Sequence, residues 1–139
     1  MIFIYVTNLL SKTKKESMAN NILIEQHPIH KDYYGTSEGD VISFKRKQPK
    51  FIKQSNHQKG YTQFRISQGR NNGLMYLTHR FVFECFFGLI EDEQIQVHHI
   101  NHIKTDNSID NLMLVTDAEN KALAKAAGRT TGRKFSTYR

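Results

Sequence analysis

The stretch VHHINHIKTDNSIDNLMLVTDAEN, residues 97–120, decides the fold predicted for this chain. Two adjacent histidines, His98 and His99, end a short apolar run that is typical of a β-strand. After a polar loop, Asn111 begins a second apolar run, and Asn120 falls in the first turns of a helix that is rich in Ala, Lys, Leu and Glu. The pattern predicts strand, loop, strand and helix in that order.

The residue types in this stretch suit the hydrolysis of a phosphodiester, which needs an activated water, a cation at the phosphate and help for the leaving oxygen. Adjacent strand residues point to opposite faces, so His98 and His99 are expected to have different roles, one holding a metal and the other reaching a water. An imidazole accepts a proton near neutral pH. One imidazole and one Asn amide oxygen would leave a metal open to water and phosphate, and the amide of Asn111 would brace the loop and orient the base histidine.

Short strands and turns are predicted ahead of this stretch. Residues 33–44 form a hairpin around a polar turn, and residues 61–66 form a strand with one buried face whose hairpin partner is 74–77. Residues 78–87 suit a buried strand as well as a helix, and Thr78 as a cap and Gly88 as a stop favour the helix.

Basic residues point to a polyanionic partner. The chain has 20 Lys plus Arg against 13 Asp plus Glu, a formal net charge of +7, which is typical of proteins that bind nucleic acid. The start of the predicted helix, a central run and the carboxy-terminal tail supply the side chains expected to contact DNA phosphates: His79, Arg80, Lys45, Arg46, Lys47, Arg129, Arg133 and Lys134. A solvated charged face is the alternative for the two basic runs.

The amino terminus and the cysteine content indicate where in the cell the protein is expected. The apolar start MIFIYVTNLL lacks a preceding basic residue and is shorter than the roughly 20 residues of a spanning helix, so neither a signal peptide nor an anchor is predicted. The single cysteine, Cys85, excludes a disulfide framework and paired-thiolate zinc sites, and a cytoplasmic location is expected. Because translation could begin at Met18, residues 1–20 are interpreted as a non-native extension or a disordered arm, with a real amino-terminal strand as the alternative.

Four motifs together resemble the HNH endonucleases, in particular the phage and intron-borne homing endonucleases with a ββα-metal site. They are GYTQFRIS (60–67), YLTHRFVFECFF (76–87), VHHINH (97–102) and NLMLVTDAEN (111–120). The spacing of His-His, eleven residues, Asn, eight residues and Asn is also similar to that of the family. The resemblance implies that His99 is the general base, His98 and Asn120 are metal ligands, and Asn111 is the structural Asn of the motif.

The expected fold is α+β, with a small amino-terminal β module that binds DNA (21–58), a ββα-metal (HNH) nuclease core (59–127) and a basic tail (128–139). The resemblance implies metal-dependent cleavage of double-stranded DNA by a phage-encoded homing-type enzyme, acting in the host cytoplasm as a monomer or weak dimer without a small-molecule cofactor. Mg²⁺ is the expected ion. Many relatives carry Asp or Asn in place of His98, and an imidazole shifts the preference towards Mn²⁺ or another transition metal.

Other functions remain open at this point. One alternative is a catalytically weak DNA-binding or regulatory protein that retains the HNH fold, and another is a nuclease directed at RNA. His102 is interpreted as a loop residue near phosphate rather than a metal ligand, because a strand followed by a loop does not align it with His98 as a helix would. Asp106, Asn107 and Asp110 are interpreted as loop formers.

Overall fold

Residues 22–128 are described by a computed structural model. The first sheet has four antiparallel strands that pair in chain order: β1 (Ile24–Gln26), β2 (Tyr33–Thr36), β3 (Val41–Ser43) and β4 (Lys50–Phe51). Strands β2 and β3 place Tyr34 opposite Ile42, which confirms the hairpin predicted over residues 33–44. Val41 and Ile42 are fully buried, so both faces of β3 are covered.

A second antiparallel sheet consists of β5 (Ser55–Asn56), β6 (Thr62–Ser67) and β7 (Gly73–Leu77). Phe64 and Ile66 alternate with exposed residues along β6, as the sequence pattern predicts for a strand with one buried face. Helix α1 (Thr78–Phe87) follows β7 without a connecting loop.

The ends of α1 differ in how well the sequence predicts them. Gly88, with a φ of 94°, ends the helix as expected, and its N–H donates to the carbonyl of Glu84. The prediction that Thr78 caps the helix is wrong, because Leu77 occupies the N-cap position and no side chain caps it there. Thr78 lies in the first turn and is fully buried, and its hydroxyl has no hydrogen-bond partner among residues 22–128.

Helix α1 joins the two sheets into one hydrophobic core. The members of that core come from both sheets and from the helix: Tyr33, Val41, Phe64, Ile66, Phe81 and Cys85. Fully burying an aromatic or branched side chain contributes about 1.5–3 kcal/mol, so this cluster dominates the stability of the region. The core therefore continues across the boundary predicted between residues 58 and 59.

The carboxy-terminal part is a hairpin followed by a helix. Strand β8 (Ile95–His99) pairs with β9 (Leu112–Thr116), and a 3-10 turn (Ile109–Asn111) precedes β9. Helix α2 (Asp117–Ala126) starts directly after β9. Its capping box joins the side chain of Thr116 to the backbone of Glu119 and the side chain of Glu119 to the backbone of Thr116.

The observed strand, loop, strand and helix agree with the prediction, and the architecture is α+β. Neither helix in the range 22–128 has the length and apolar character of a membrane span. The expectations for residues 1–20 and for the tail cations Arg129, Arg133 and Lys134 lie outside the described residues.

Candidate active site

His99 is the last residue of β8, and its side chain is buried with 4% of its surface exposed. Its Nε2 lies 2.9 Å from Oδ1 of Asn107. The amide of Asn107 is oriented by its own Nδ2, which donates to the hydroxyl of Thr62 at 2.6 Å. An amide oxygen only accepts hydrogen bonds, so Nε2 of His99 carries the proton and the lone pair of the neutral ring is on Nδ1.

Aromatic rings surround His99. The ring of Tyr61 is 5.8 Å away, centroid to centroid, and that of His79 is 4.9 Å away. Burial lowers the pKa of His99 below its ordinary value, and the hydrogen bond with Asn107 opposes this shift. The imidazole of His99 is therefore neutral at pH 7, and the neutral form is the one that can accept a proton from water.

His98 and Asn120 form a second pair on the other face of β8. Nδ1 of His98 lies 3.1 Å from Oδ1 of Asn120, which is buried in the first turns of α2. Nδ2 of Asn120 donates to Oε1 of Gln96 at 2.8 Å, so the amide oxygen is the atom that faces His98. Gln96 and His98 are two residues apart on a strand and therefore share a face.

These two donor atoms fit a divalent cation. Two neighbouring ligands of an octahedral ion with bonds of about 2.1 Å are about 3.0 Å apart, close to the separation of His98 and Asn120. Within residues 22–128, no group of three or more His, Cys, Asp or Glu side chains is placed to hold a metal.

Asn111 braces the loop between the two strands, here named the β8–β9 loop (residues 100–108). Its Oδ1 accepts from the backbone N–H of Asn101 at 2.8 Å, and its Nδ2 donates to Oδ1 of Asn101 and to the carbonyl of Asp106. The loop-bracing role expected from the sequence agrees with these contacts. The sequence also predicts that Asn111 fixes the orientation of the base histidine, and the side chain that hydrogen-bonds directly to His99 is that of Asn107.

One cavity is lined both by His99 and by the pair of His98 and Asn120. Its lining residues come from β8, the β8–β9 loop, α2 and the residue that precedes β6: Tyr61, Val97, His98, His99, His102, Lys104, Asn120 and Ala124. His102 has a φ of 63° and lies in the loop, with its ring centroid 5.2 Å from that of His98. It is therefore a loop residue beside the site, as predicted.

The prediction that His79 faces a phosphate at the start of α1 is wrong. Only 4% of its surface is exposed, because its ring stacks on Tyr61 at a centroid distance of 4.9 Å and packs beside His99. Burial lowers the pKa of His79 to about 3, so the ring is neutral at physiological pH. Arg80 is partly exposed, and its guanidinium donates to the carbonyl of Ile90 at 2.9 Å.

The central basic run lies in an exposed turn between β3 and β4. Lys45, Arg46 and Lys47 are all exposed. The ammonium of Lys45 donates to the carbonyl of Ser67 and lies 5.8 Å from the ring centroid of Tyr33. Lys45 therefore also links the two sheets, and contact of this run with DNA stays a prediction.

Several residues of the site were not singled out from the sequence as site residues. Gln96 could have been found, because it is two positions before His98 on the same strand face. Asn107 was interpreted only as a loop former, and its partner Thr62 is 45 residues away. Tyr61 and Lys104 likewise come to the cavity through tertiary packing that no local pattern shows.

Comparisons with known proteins agree with this geometry. A family model described as HNH endonuclease matches residues 76–122. No curated protein matches the chain. A solved structure described as "DNA binding and cleavage by the HNH homing endonuclease I-HmuI" is similar with a TM-score of 0.67 and 24% identity over 78% of this chain. The match covers 61% of that protein, and at this identity it establishes the fold. Residues 76–122 therefore match the HNH endonuclease family, and the fold is shared with an HNH homing endonuclease.

Proposed function

We propose that this protein is a metal-dependent DNA endonuclease of the homing type, with His99 as the general base. The observation that carries the proposal is the shared cavity, in which the neutral imidazole of His99 lies beside the pair formed by His98 and Asn120. DNA is supported as the substrate by the net charge of +7 and by the described activity of the structurally similar I-HmuI.

Side chains of this protein activate the attacking water and accept its proton. Nδ1 of His99 takes a proton from water while the water oxygen forms a bond to phosphorus, and Asn107 keeps the ring in the required tautomer. The bond from phosphorus to the 3′ oxygen breaks, and that oxygen takes a proton from water. The products are a 5′-phosphate and a 3′-hydroxyl.

His98 and Asn120 would hold the divalent cation, which supplies positive charge to the phosphate when bound. We propose Mg²⁺ as the ion, with Mn²⁺ or another transition metal as the alternative that an imidazole ligand favours. Gln96 fixes the amide of Asn120, so it is a positioning residue for this pair.

Phosphate contacts around the site would orient the duplex without reading its sequence. The module of residues 21–58 and the tail of residues 128–139 are proposed to supply them through Lys45, Arg46, Lys47, Arg129, Arg133 and Lys134, together with Arg80 in the first turn of α1. A phage origin, a cytoplasmic location and a monomer or weak dimer are part of the same proposal. One such core would nick one strand in each encounter.

Relaxation of a supercoiled plasmid tests the proposal, using wild type and His99→Ala, each with Mg²⁺, Mn²⁺ or EDTA. Nicking by the wild type is expected only with metal, and the substitution is expected to lower the rate by roughly 10²–10⁴-fold, the range of general base catalysis. Equal activity in both proteins would refute the role of His99. DNA binding without nicking would favour the regulatory alternative, and preferential cleavage of RNA in competition would overturn the choice of DNA.

A further inference from the structure

We propose that Lys104 is a further catalytic residue, whose ammonium group contacts the phosphate that is cleaved. This inference rests on the nuclease function proposed above and adds a residue to its site. Lys104 belongs to the β8–β9 loop, outside the His-Asn-Asn motif.

The position of Lys104 places a cation at the reacting groups. It lines the same cavity as His98, His99 and Asn120. Among the described residues that line this cavity, Lys104 alone has a side chain that is permanently charged near pH 7. A phosphate that approaches the metal pair and the base would therefore meet this ammonium group.

The ammonium group is held in place before any substrate binds. Nζ donates to the backbone carbonyl of Lys59 at 2.8 Å and lies 4.9 Å from the ring centroid of Tyr61. The same Tyr61 ring is stacked 5.8 Å from His99, so the cation and the base are arranged around one aromatic side chain. A pre-positioned charge stabilises a transition state without reorganising during the reaction.

The chemistry requires such a charge. Attack of water on a phosphodiester increases the negative charge on the phosphoryl oxygens, and an ammonium group a few ångströms away stabilises that charge more strongly than it stabilises the bound diester. A purely structural role is the competing explanation, because the contact with Lys59 also ties the β8–β9 loop to the turn before β6.

Single-turnover nicking of supercoiled plasmid, with protein in saturating excess, distinguishes these roles. The variants are Lys104→Met, which keeps an apolar stem against Tyr61, and Lys104→Arg, which keeps the charge. Lys59→Ala is the matched control, because it removes a neighbouring exposed cation that does not line the cavity and keeps the backbone carbonyl. Thermal unfolding and duplex affinity are measured for each protein.

Lys104→Met is expected to lower the saturating cleavage rate by roughly 10²-fold, the effect of removing one transition-state donor, with an unchanged Tm. Lys104→Arg should retain most of the rate, and Lys59→Ala should stay within about three-fold of wild type because exposed phosphate contacts act mainly on binding. A rate for Lys104→Met equal to that of Lys59→Ala would overturn the inference while leaving the nuclease function intact. If Lys104→Met lowers the Tm together with the rate, the result would also overturn the inference, in favour of the structural role. Absence of metal-dependent nicking by the wild type would overturn both proposals.

Discussion

Gly39 in the amino-terminal sheet lies against Asn107, the hydrogen-bond partner of His99, which we propose as the general base. Replacement of Gly39 by alanine therefore tests this geometry. Gly39 lies in the turn between β2 and β3 with a φ of +91°. A Cβ at this position would lie 2.6 Å from the carbonyl carbon of Asn107 and 2.7 Å from its Cβ. The contact involves backbone rather than a flexible side-chain end, so Asn107 must move, and Asn107 holds His99.

Two costs add in Gly39→Ala. An L-residue at positive φ costs about 1–2 kcal/mol, and overpacking costs about 1–3 kcal/mol, for a total loss of about 2–5 kcal/mol in the free energy of unfolding. Displacement of the base should also slow the saturating cleavage rate by at least about 10-fold, since a shift of 1 Å can cost about 10²-fold.

Urea unfolding and single-turnover plasmid nicking measure the two effects, the latter at a temperature where the variant is folded. Gly69→Ala is the control, because Gly69 also has a positive φ, +121°, but no atom lies within 4 Å of the added Cβ. It should show the conformational cost alone and an unchanged cleavage rate. Equal losses of stability and equal rates in the two variants would refute the contact between the turn and Asn107.

Three further substitutions test separate parts of the account. His79 has its pKa lowered to about 3 from 6.5, so the unfolded chain binds the extra proton between these values and stability falls as the pH drops below 6.5. At pH 5.0 this loss of stability is about 2 kcal/mol. Between pH 7.5 and 5.0 in urea titrations, the free energy of unfolding of His79→Phe should therefore fall by about 2 kcal/mol less than that of wild type. An equal fall in the two proteins would refute the burial of a neutral ring. Asn107→Ala should lower the cleavage rate by about 10–100-fold at unchanged DNA affinity, since the general base loses its orientation; a full rate would show that His99 is oriented otherwise. Thr116→Ala should lower the free energy of unfolding by about 1 kcal/mol, measured by thermal unfolding, because the capping box is lost. A stability equal to that of wild type would argue against that cap.

The parts of the fold that the sequence predicts are those encoded by local patterns. The alternation at Phe64 and Ile66, the two hairpins and the helix ended by Gly88 depend on residues close in sequence. The motif around His98 and His99 spans one hairpin and one helix, so its fixed spacing was enough to predict that His98, His99 and Asn120 lie close together.

The remaining features depend on contacts between distant segments. Asn107 meets Thr62, and Lys104 meets the carbonyl of Lys59, each across 45 residues. No periodicity or propensity indicates such pairs, because they arise only when the second sheet packs against the β8–β9 loop. The burial of His79 has the same origin, since its polar position at a helix start suggested exposure until Tyr61 and His99 packed against it.

In the proposed mechanism His99 is the base, and His98 with Asn120 holds the cation in the same cavity. The most direct test of this mechanism is the single-turnover nicking rate as a function of Mg²⁺ concentration for wild type, His99→Ala and Asn120→Ala. We expect His99→Ala to lower the maximal rate by roughly 10²–10⁴-fold with an unchanged midpoint, and Asn120→Ala to raise the Mg²⁺ midpoint. A shifted midpoint in His99→Ala at an unchanged maximal rate, or an unshifted midpoint in Asn120→Ala, would contradict this mechanism.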